Sequence, residues 1–204
     1  MTLDQYRDAV RSVADPFVDR LVGLGIGPDV ISVAAIGAAV AAGVAFGFAA
    51  DDARLYLLGS GLVFVNGVLD ALDGELARRI GVDSRAGDLL DHVLDRYADI
   101  AILVGLAAGV DRYGLGLAAV TGVLMTSYLG TQIEAVGLGR EYGGLIGRAD
   151  RLVLVGVTGI AAWALPGTVY GLTAVGVLLV LFAVVGHLTA LQRFAGAYRD
   201  LARE

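Results

Sequence analysis

The chain contains no cysteine and no lysine, and only three of its 204 residues are proline. The absence of cysteine excludes a disulfide framework, a thiolate metal site and a cysteine nucleophile. Charged residues make up only 18% of the sequence, against about a quarter in soluble proteins, which excludes an ordinary soluble domain. The formal net charge of −6 disfavours nucleic acid as the main partner.

Apolar and small residues take the place of the missing charge. Hydrophobic residues are 57% of the chain, 30 residues are glycine and the mean hydropathy is +0.74. A helix needs about 20 mostly apolar residues to cross a bilayer, although the fifth candidate here is shorter. The sequence therefore predicts an all-α integral membrane protein with six transmembrane helices, at approximately 30–50, 55–77, 89–110, 115–136, 152–165 and 169–188.

An amphipathic segment precedes the first span. Its apolar residues recur at three- or four-residue steps and share one helical face: Leu3, Tyr6, Val10, Val13, Phe17 and Leu21. We expect residues 1–24 to form an interfacial helix and residues 25–204 a six-helix bundle. Together they make a single membrane domain over residues 1–204.

The arginines indicate how the helices are oriented. Only Arg54 and Arg112 lie in the connections on one side, and Arg96 lies inside a span. Since positive charge marks the cytoplasmic side of short loops, both termini are expected in the cytoplasm. The connections on that side contain Arg7, Arg11, Arg20, Arg78, Arg79, Arg85, Arg140, Arg148, Arg151, Arg193, Arg199 and Arg203.

Two glycine pairs have the four-residue spacing that lets membrane helices approach closely. These pairs are Gly43 with Gly47 and Gly105 with Gly109. They predict either tight packing inside the bundle or a contact between two chains. We also expect the protein to form a homodimer.

Four aspartates lie within the second and third predicted spans, where charged side chains are rare. Asp70 and Asp73 share one face of the second span, and Asp91 and Asp95 share one face of the third. The two helices are joined by a short turn, so they should run antiparallel and bring the carboxylates together. Each intramembrane charge costs about 2.5–3.5 kcal/mol or more, and divalent cations would offset that cost.

Oxygen-only ligands favour Mg²⁺, Mn²⁺ or Ca²⁺ over zinc or copper. Other interpretations of the aspartates are helix caps or ion pairs, with Arg78, Arg79, Arg85 and Arg96 as the candidate partners. A cation transporter is the rival functional class. It is disfavoured because the acids cluster at one membrane face rather than near the midplane.

These residues form the pattern Asp70-x2-Asp73-Gly74-x2-Ala77-Arg78-x8-Gly87-x3-Asp91-x3-Asp95. The pattern resembles, without a gap or substitution, the signature of the CDP-alcohol phosphotransferase family. The six-span layout is also similar to that of the family. The resemblance implies a metal-dependent transferase of phospholipid biosynthesis that moves a phosphatidyl or archaetidyl group from a CDP-lipid to a polar alcohol and releases CMP.

The resemblance also implies a role for each signature residue. Two divalent cations, Mg²⁺ or Mn²⁺, would be bound by aspartates of the signature, and Asp95 would act as the general base and also touch a metal. The CDP moiety would contact Asp70, and Arg78 would hold its diphosphate. The metal ligands would be Asp70, Asp73, Asp91 and Asp95, and the cytidine pocket would be lined by Gly74, Ala77 and Gly87.

Two further segments, 127–135 and 147–152, resemble the inositol-phosphate branch of the family. Within them, Arg148 and Arg151 match positions that would hold the phosphate of the acceptor, although positive-inside anchoring is the alternative for both. That branch usually has basic residues where Gly130 and Gln132 stand here, so glycerol 3-phosphate and serine stay open as acceptors. The absence of lysine and the sequence pI near 4.8 suggest a host with GC-rich coding and a salty cytoplasm. Such a host favours CDP-archaeol over CDP-diacylglycerol as the donor.

Overall fold

The architecture comes from a computed structural model that describes residues 7–82, 84–139 and 146–203, with residues 7–14 described by their backbone alone. All seven regular elements in these ranges are helices, and Val169 and Leu172 form an isolated bridge. The helices are α1 (Arg7–Gly23), α2 (Pro28–Gly47), α3 (Arg54–Ile80), α4 (Arg85–Gly109), α5 (Tyr113–Ala135), α6 (Arg148–Ala164) and α7 (Ala174–Leu201).

Each of the six predicted spans overlaps one of the helices α2 to α7. Four helices are long and apolar enough to cross a membrane, namely α2, α3, α5 and α7. The other two differ for visible reasons: charged side chains recur through the first half of α4, and α6 has only 17 residues. The coarse prediction of an all-helical protein with several apolar helices is therefore confirmed.

The predicted start of the last span is wrong. Residues 169–173 form a turn in which Tyr170 and Gly171 have positive φ angles of 51° and 77°. The hydroxyl of Thr173 then accepts the N–H of Gly176 at 3.1 Å and caps α7, which begins at Ala174. Hydropathy gave no sign of this turn because its residues are mostly apolar.

The N-terminal helix packs on the ends of α2 and α3. Val18 is fully buried and joins Ile31 and Leu76 in a small apolar cluster. Phe17 belongs to the predicted apolar stripe but is 56% exposed, whereas Leu21 packs against the cluster. Leu3 and Tyr6 lie outside the described residues, as does Arg140 in a later loop. The structure describes only the backbone of Arg7, Val10, Arg11 and Val13.

Helix α2 lies between α3 and α4 and packs against both, whereas α3 and α4 make few direct contacts. Further contacts join α3 to α6, α4 to α5 and α5 to α7. The main core contains Phe46, Ile102, Leu106 and Leu179, all nearly inaccessible to solvent. Helix α2 therefore separates α3 from α4 along most of their length.

Both predicted glycine pairs lie at the contact between α2 and α4. A side chain on Gly105 would collide with the backbone of Gly43, and one on Gly109 would collide with the carbonyl of Phe46. Without these side chains the two backbones approach each other directly. The pairs therefore provide packing inside one chain.

We expect Gly105→Ala to lower the free energy of unfolding by about 1–3 kcal/mol, because the added methyl must push two backbones apart. Gly37→Ala is the matched control, since a side chain at Gly37 on α2 would meet nothing within 4 Å. That variant should be neutral, or stabilising by up to about 1 kcal/mol through helix propensity. Thermal unfolding in detergent measures both, and equal stability of the two variants would contradict the packing role.

Candidate active site

The chain reverses direction between α3 and α4 within a few residues. Gly81 ends α3 in the left-handed conformation, with φ of 69°, which a residue with a side chain adopts at a cost. Ser84 begins α4 by accepting the N–H of Gly87 at 3.0 Å. This turn places the first turns of α4 beside the last turns of α3, where the aspartates lie.

Three of the four predicted aspartates come together. Asp70, Asp91 and Asp95 each offer a carboxylate oxygen, and these oxygens lie within 4.8 Å of one another. Asp73 is the most deeply buried of the four, at 6% exposure, and its carboxylate accepts a hydrogen bond of 2.6 Å from Ser32 on α2. The predicted convergence of the two aspartate pairs is thus present in the structure.

A small cavity opens between α2, α3, α4 and α6. All four aspartates line it, and α2 closes one side with Ser32, Ala35 and Ile36. Its polar lining consists of Ser32, Asn66, Asp70, Asp73, Asp91, Asp95 and Arg148. The separation of α3 from α4 by α2 is what leaves this space.

Arg148, at the start of α6, supplies positive charge to the cavity. Its guanidinium lies 2.5 Å from Asp70 and 2.7 Å from Asp95, so one side chain joins α6 to both α3 and α4. Arg96 adds a longer contact of 3.4 Å to Asp95. Arg148 was predicted at the acceptor phosphate, and the structure places it among the predicted metal ligands.

Of the arginines considered as partners of the aspartates, Arg96 contacts one of them. Arg78 instead pairs with Glu75 at 2.8 Å on its own helix. Arg79 pairs with Asp15 and reaches Asp19 at 3.7 Å, both on α1. Arg79 therefore joins α3 to α1 at the surface, whereas the ion pair of Arg78 stays within α3.

The second predicted acceptor residue, Arg151, lies one turn further along α6. Its guanidinium donates to Asp99 on α4 at 3.0 Å, and Asp99 is only 5% exposed. Arg151 also lines a second small cavity between α5, α6 and α7, together with Thr126 and Thr189. The carbonyl of Thr126 accepts from Arg193 at 2.6 Å, which brings a further arginine to this region.

Of the predicted nucleotide-binding residues, Asp70 lines the aspartate cavity and the others lie toward the helix ends. Gly74 and Ala77 are half-buried on the last turns of α3, and Gly87 is half-buried in the first turn of α4. A side chain on Gly74 would lie 3.6 Å from the guanidinium of Arg78. The side chain of Arg78 therefore lies beside Gly74, near the C-terminal end of α3.

Two cavity residues, Ser32 and Asn66, were missed by sequence reasoning. Asn66 stands one turn before Asp70 and shares its face, so the four-residue spacing could have identified it. Ser32 gave no comparable signal, because its place beside Asp73 depends on how α2 packs.

The cluster suits a hard divalent cation. The candidate ligands are carboxylate oxygens from Asp70, Asp91 and Asp95, with no sulfur or imidazole among them. Oxygen-only sets of this kind bind Mg²⁺, Mn²⁺ or Ca²⁺. The residues present therefore fit the metal that the signature implies.

Comparisons with known proteins identify the family of the chain. The family model described as CDP-alcohol phosphatidyltransferase matches residues 25–188. The archaetidylinositol phosphate synthase of Methanothermobacter thermautotrophicus is 30% identical over 201 residues, which cover 98% of this chain and 95% of that protein. The phosphatidylinositol phosphate synthase of Cutibacterium acnes is 31% identical over 210 residues, which cover 97% of this chain and 98% of that protein.

Solved structures give the same result. The crystal structure of phosphatidylinositol phosphate synthase from Mycobacterium tuberculosis with CDP-DAG bound superposes with a TM-score of 0.77 at 28% identity, covering 92% of this chain and 94% of that one. A second structure of that enzyme, in complex with manganese and citrate, has a TM-score of 0.76 at 27% identity, covering 91% of this chain and 88% of that one. The resemblance seen in the signature is confirmed: this multi-pass membrane protein belongs to the CDP-alcohol phosphatidyltransferase family.

Proposed function

We propose that this protein transfers a phosphatidyl or archaetidyl group from a CDP-lipid to the hydroxyl of a phosphorylated alcohol, with inositol phosphate as the preferred acceptor. The observation that carries the proposal is the cavity in which Asp70, Asp91 and Asp95 converge beside Arg148. Its aspartates belong to a complete family signature. The names of the relatives support the choice of acceptor.

The proposed reaction is a direct displacement at phosphorus. The acceptor hydroxyl forms a new bond to the lipid-bearing phosphorus, and the bond from that phosphorus to the bridging oxygen of CMP breaks. Divalent cations, when bound, would neutralise the diphosphate and the departing CMP. The carboxylate of Asp95 takes the proton of the attacking hydroxyl as general base.

The other signature residues bind and orient. Asp70, Asp73 and Asp91 would hold two cations together with Asp95, and the hydrogen bond from Ser32 fixes the carboxylate of Asp73. Arg78 would extend from the end of α3 to the CDP diphosphate. The cytidine pocket would be formed by the small residues near the turn, Gly74, Ala77 and Gly87.

Arg148 and Arg151 would bind the acceptor phosphate. A guanidinium presents two parallel N–H donors to phosphate oxygens, which suits both residues. Their positions on successive turns of α6 put one beside the aspartate cluster and the other at the neighbouring cavity. Glycerol 3-phosphate and serine are the alternative acceptors, and the lipid donor is CDP-archaeol or CDP-diacylglycerol.

We also propose that all six helices α2 to α7 cross the bilayer as one domain over residues 1–204. In this arrangement α1 lies in the interface, and both termini and the active site face the cytoplasm. The placement of acidic residues of α4 supports it, since Asp91 and Asp95 line the cavity rather than the outer surface of the bundle and Asp99 is 5% exposed. The homodimer stays a prediction.

The function is tested by CMP release from a CDP-lipid in detergent or nanodiscs. We expect release only with Mg²⁺ or Mn²⁺, loss on adding a chelator, and the highest turnover with inositol phosphate across a panel that includes glycerol 3-phosphate and serine. Absence of metal-dependent release with every acceptor would contradict the proposal. Movement of Mn²⁺ across a vesicle membrane without CMP release would support the transporter instead.

Asp95→Asn should lower the rate of CMP release by about 10²–10⁴-fold, because the amide cannot accept the acceptor proton. Asp88→Asn is the matched control on the same helix, since the Asp88 side chain is 67% exposed and lies outside the cavity. We expect that control to retain activity within about twofold, as exposed substitutions usually do. Full activity of Asp95→Asn would show that Asp95 is not the general base.

Arg151→Lys should raise KM for inositol phosphate about 10-fold and leave KM for the CDP-lipid unchanged, since lysine keeps the charge but loses the forked donors. Lysine also preserves a partner for the buried carboxylate of Asp99. Arg199→Lys, on the exposed end of α7, is the control and should change neither constant. A rise in KM for the CDP-lipid alone would show that Arg151 does not bind the acceptor phosphate.

A further inference from the structure

Asn66 is a buried polar residue of the cavity that the signature does not include. Its side chain is 1% exposed, and its Nδ2 donates to the carbonyl of Ala35 on α2 at 2.9 Å. Its carbonyl oxygen, Oδ1, is buried and has no hydrogen-bond partner among the residues that the structure describes. Leaving such an acceptor unpaired in a buried place is unfavourable, so it calls for a bound donor.

The helix geometry places Asn66 at the inner end of the cluster. It precedes Asp70 by one turn and Asp73 by two on the same face of α3, and all three residues line the cavity. Leu94, Asp95 and Ala98 line the same cavity from α4. The carboxamide is therefore part of the floor beneath the carboxylates.

The donors of the cavity are engaged elsewhere. Ser32 donates to Asp73, and the terminal nitrogens of Arg148 are directed at Asp70 and Asp95. The remaining N–H of Arg148, on Nε, makes no hydrogen bond, so it does not reach Asn66 either. Since no donor in the described part of the chain bonds to Oδ1 of Asn66, we take that donor to be a bound molecule.

The cavity that Asn66 shares with the aspartates has a volume of about 10 Å³. A polar space of that size admits a small molecule such as water. A water that donates one proton to Oδ1 keeps its own oxygen free for a cation.

We propose that Asn66 is a positioning residue of the cation site: its Oδ1 accepts a hydrogen bond from a water carried by the divalent cation at Asp70 and Asp95. This inference rests on the proposed metal centre. Partners that act through a metal ligand typically alter metal affinity by about 10–100-fold. Asn66 supplies an oxygen without adding a further negative charge.

The test is Mn²⁺ affinity, measured by titration on the purified full chain without lipid substrate. Asn66→Leu has nearly the same volume and removes the acceptor, and it should weaken Mn²⁺ binding about 10-fold. Ser60→Ala is the matched control, because Ser60 is a buried polar residue of α3 that bonds only to Tyr56 of its own helix. It should bind Mn²⁺ as the wild type does.

A second variant separates the acceptor from the structural tie to α2. Asn66→Asp keeps an acceptor oxygen but loses the N–H donated to Ala35, so it should bind Mn²⁺ at least as tightly as the wild type. Its melting temperature without metal should fall, because it adds an uncompensated carboxylate. Equal loss of affinity in the Asp and Leu variants would show that only the tie to α2 matters, and would overturn the inference.

The outcomes also distinguish this inference from the proposed function. If the wild type binds no Mn²⁺, the metal centre itself is wrong. If the wild type and Asn66→Leu bind Mn²⁺ equally, the metal centre stands and the role of Asn66 is wrong.

Discussion

The charge of the clustered carboxylates is the constraint on which the rest of this structure depends. Asp70 and Asp95 come from different helices, and the guanidinium of Arg148 lies between them. Breaking such a pair by removing one partner costs about 3–5 kcal/mol, because a buried charge is left uncompensated. Since Arg148 is the first residue of α6, the start of α6 is held against α3 and α4. The same constraint carries Arg151 into contact with Asp99, one turn further along.

Helix α2 determines how wide the site is. The glycine contact at Gly43 and Gly105 brings the backbone of α2 against α4, and the bond from Asn66 to Ala35 holds α3 on the other side. Because α2 occupies the space between them, α3 and α4 stand apart, and their carboxylates face a cavity. The same helix supplies Ser32, which orients Asp73. Packing far from the chemistry therefore fixes the spacing of the oxygens that would bind metal.

The sequence predicted those parts of the site that depend on spacing within a helix or across a short turn. Asp70 and Asp95 lie together because each is on the inward face of its helix and the two helices are joined by a short turn at Gly81. The spacing of the aspartates and the shortness of the turn are both visible in the sequence. The places of Ser32 and Arg148 could not be predicted in this way, since they depend on contacts between helices that are distant along the chain. Hydropathy located all six helices α2 to α7. It missed the turn that ends at Thr173, because the residues of that turn are mostly apolar and resemble part of a membrane span.

An amide rather than a carboxylate at the floor of the cavity follows from the same charge constraint. Asp70 and Asp95 already share one guanidinium, and the carboxylate of Asp73 accepts a hydrogen bond from the neutral hydroxyl of Ser32. A further carboxylate at position 66 would add repulsion to each of them before any cation arrives. Asn66 instead presents a neutral oxygen at 1% exposure while its N–H₂ group remains bonded to α2. The arrangement thus favours a cation when one is present and limits the cost of folding when it is absent.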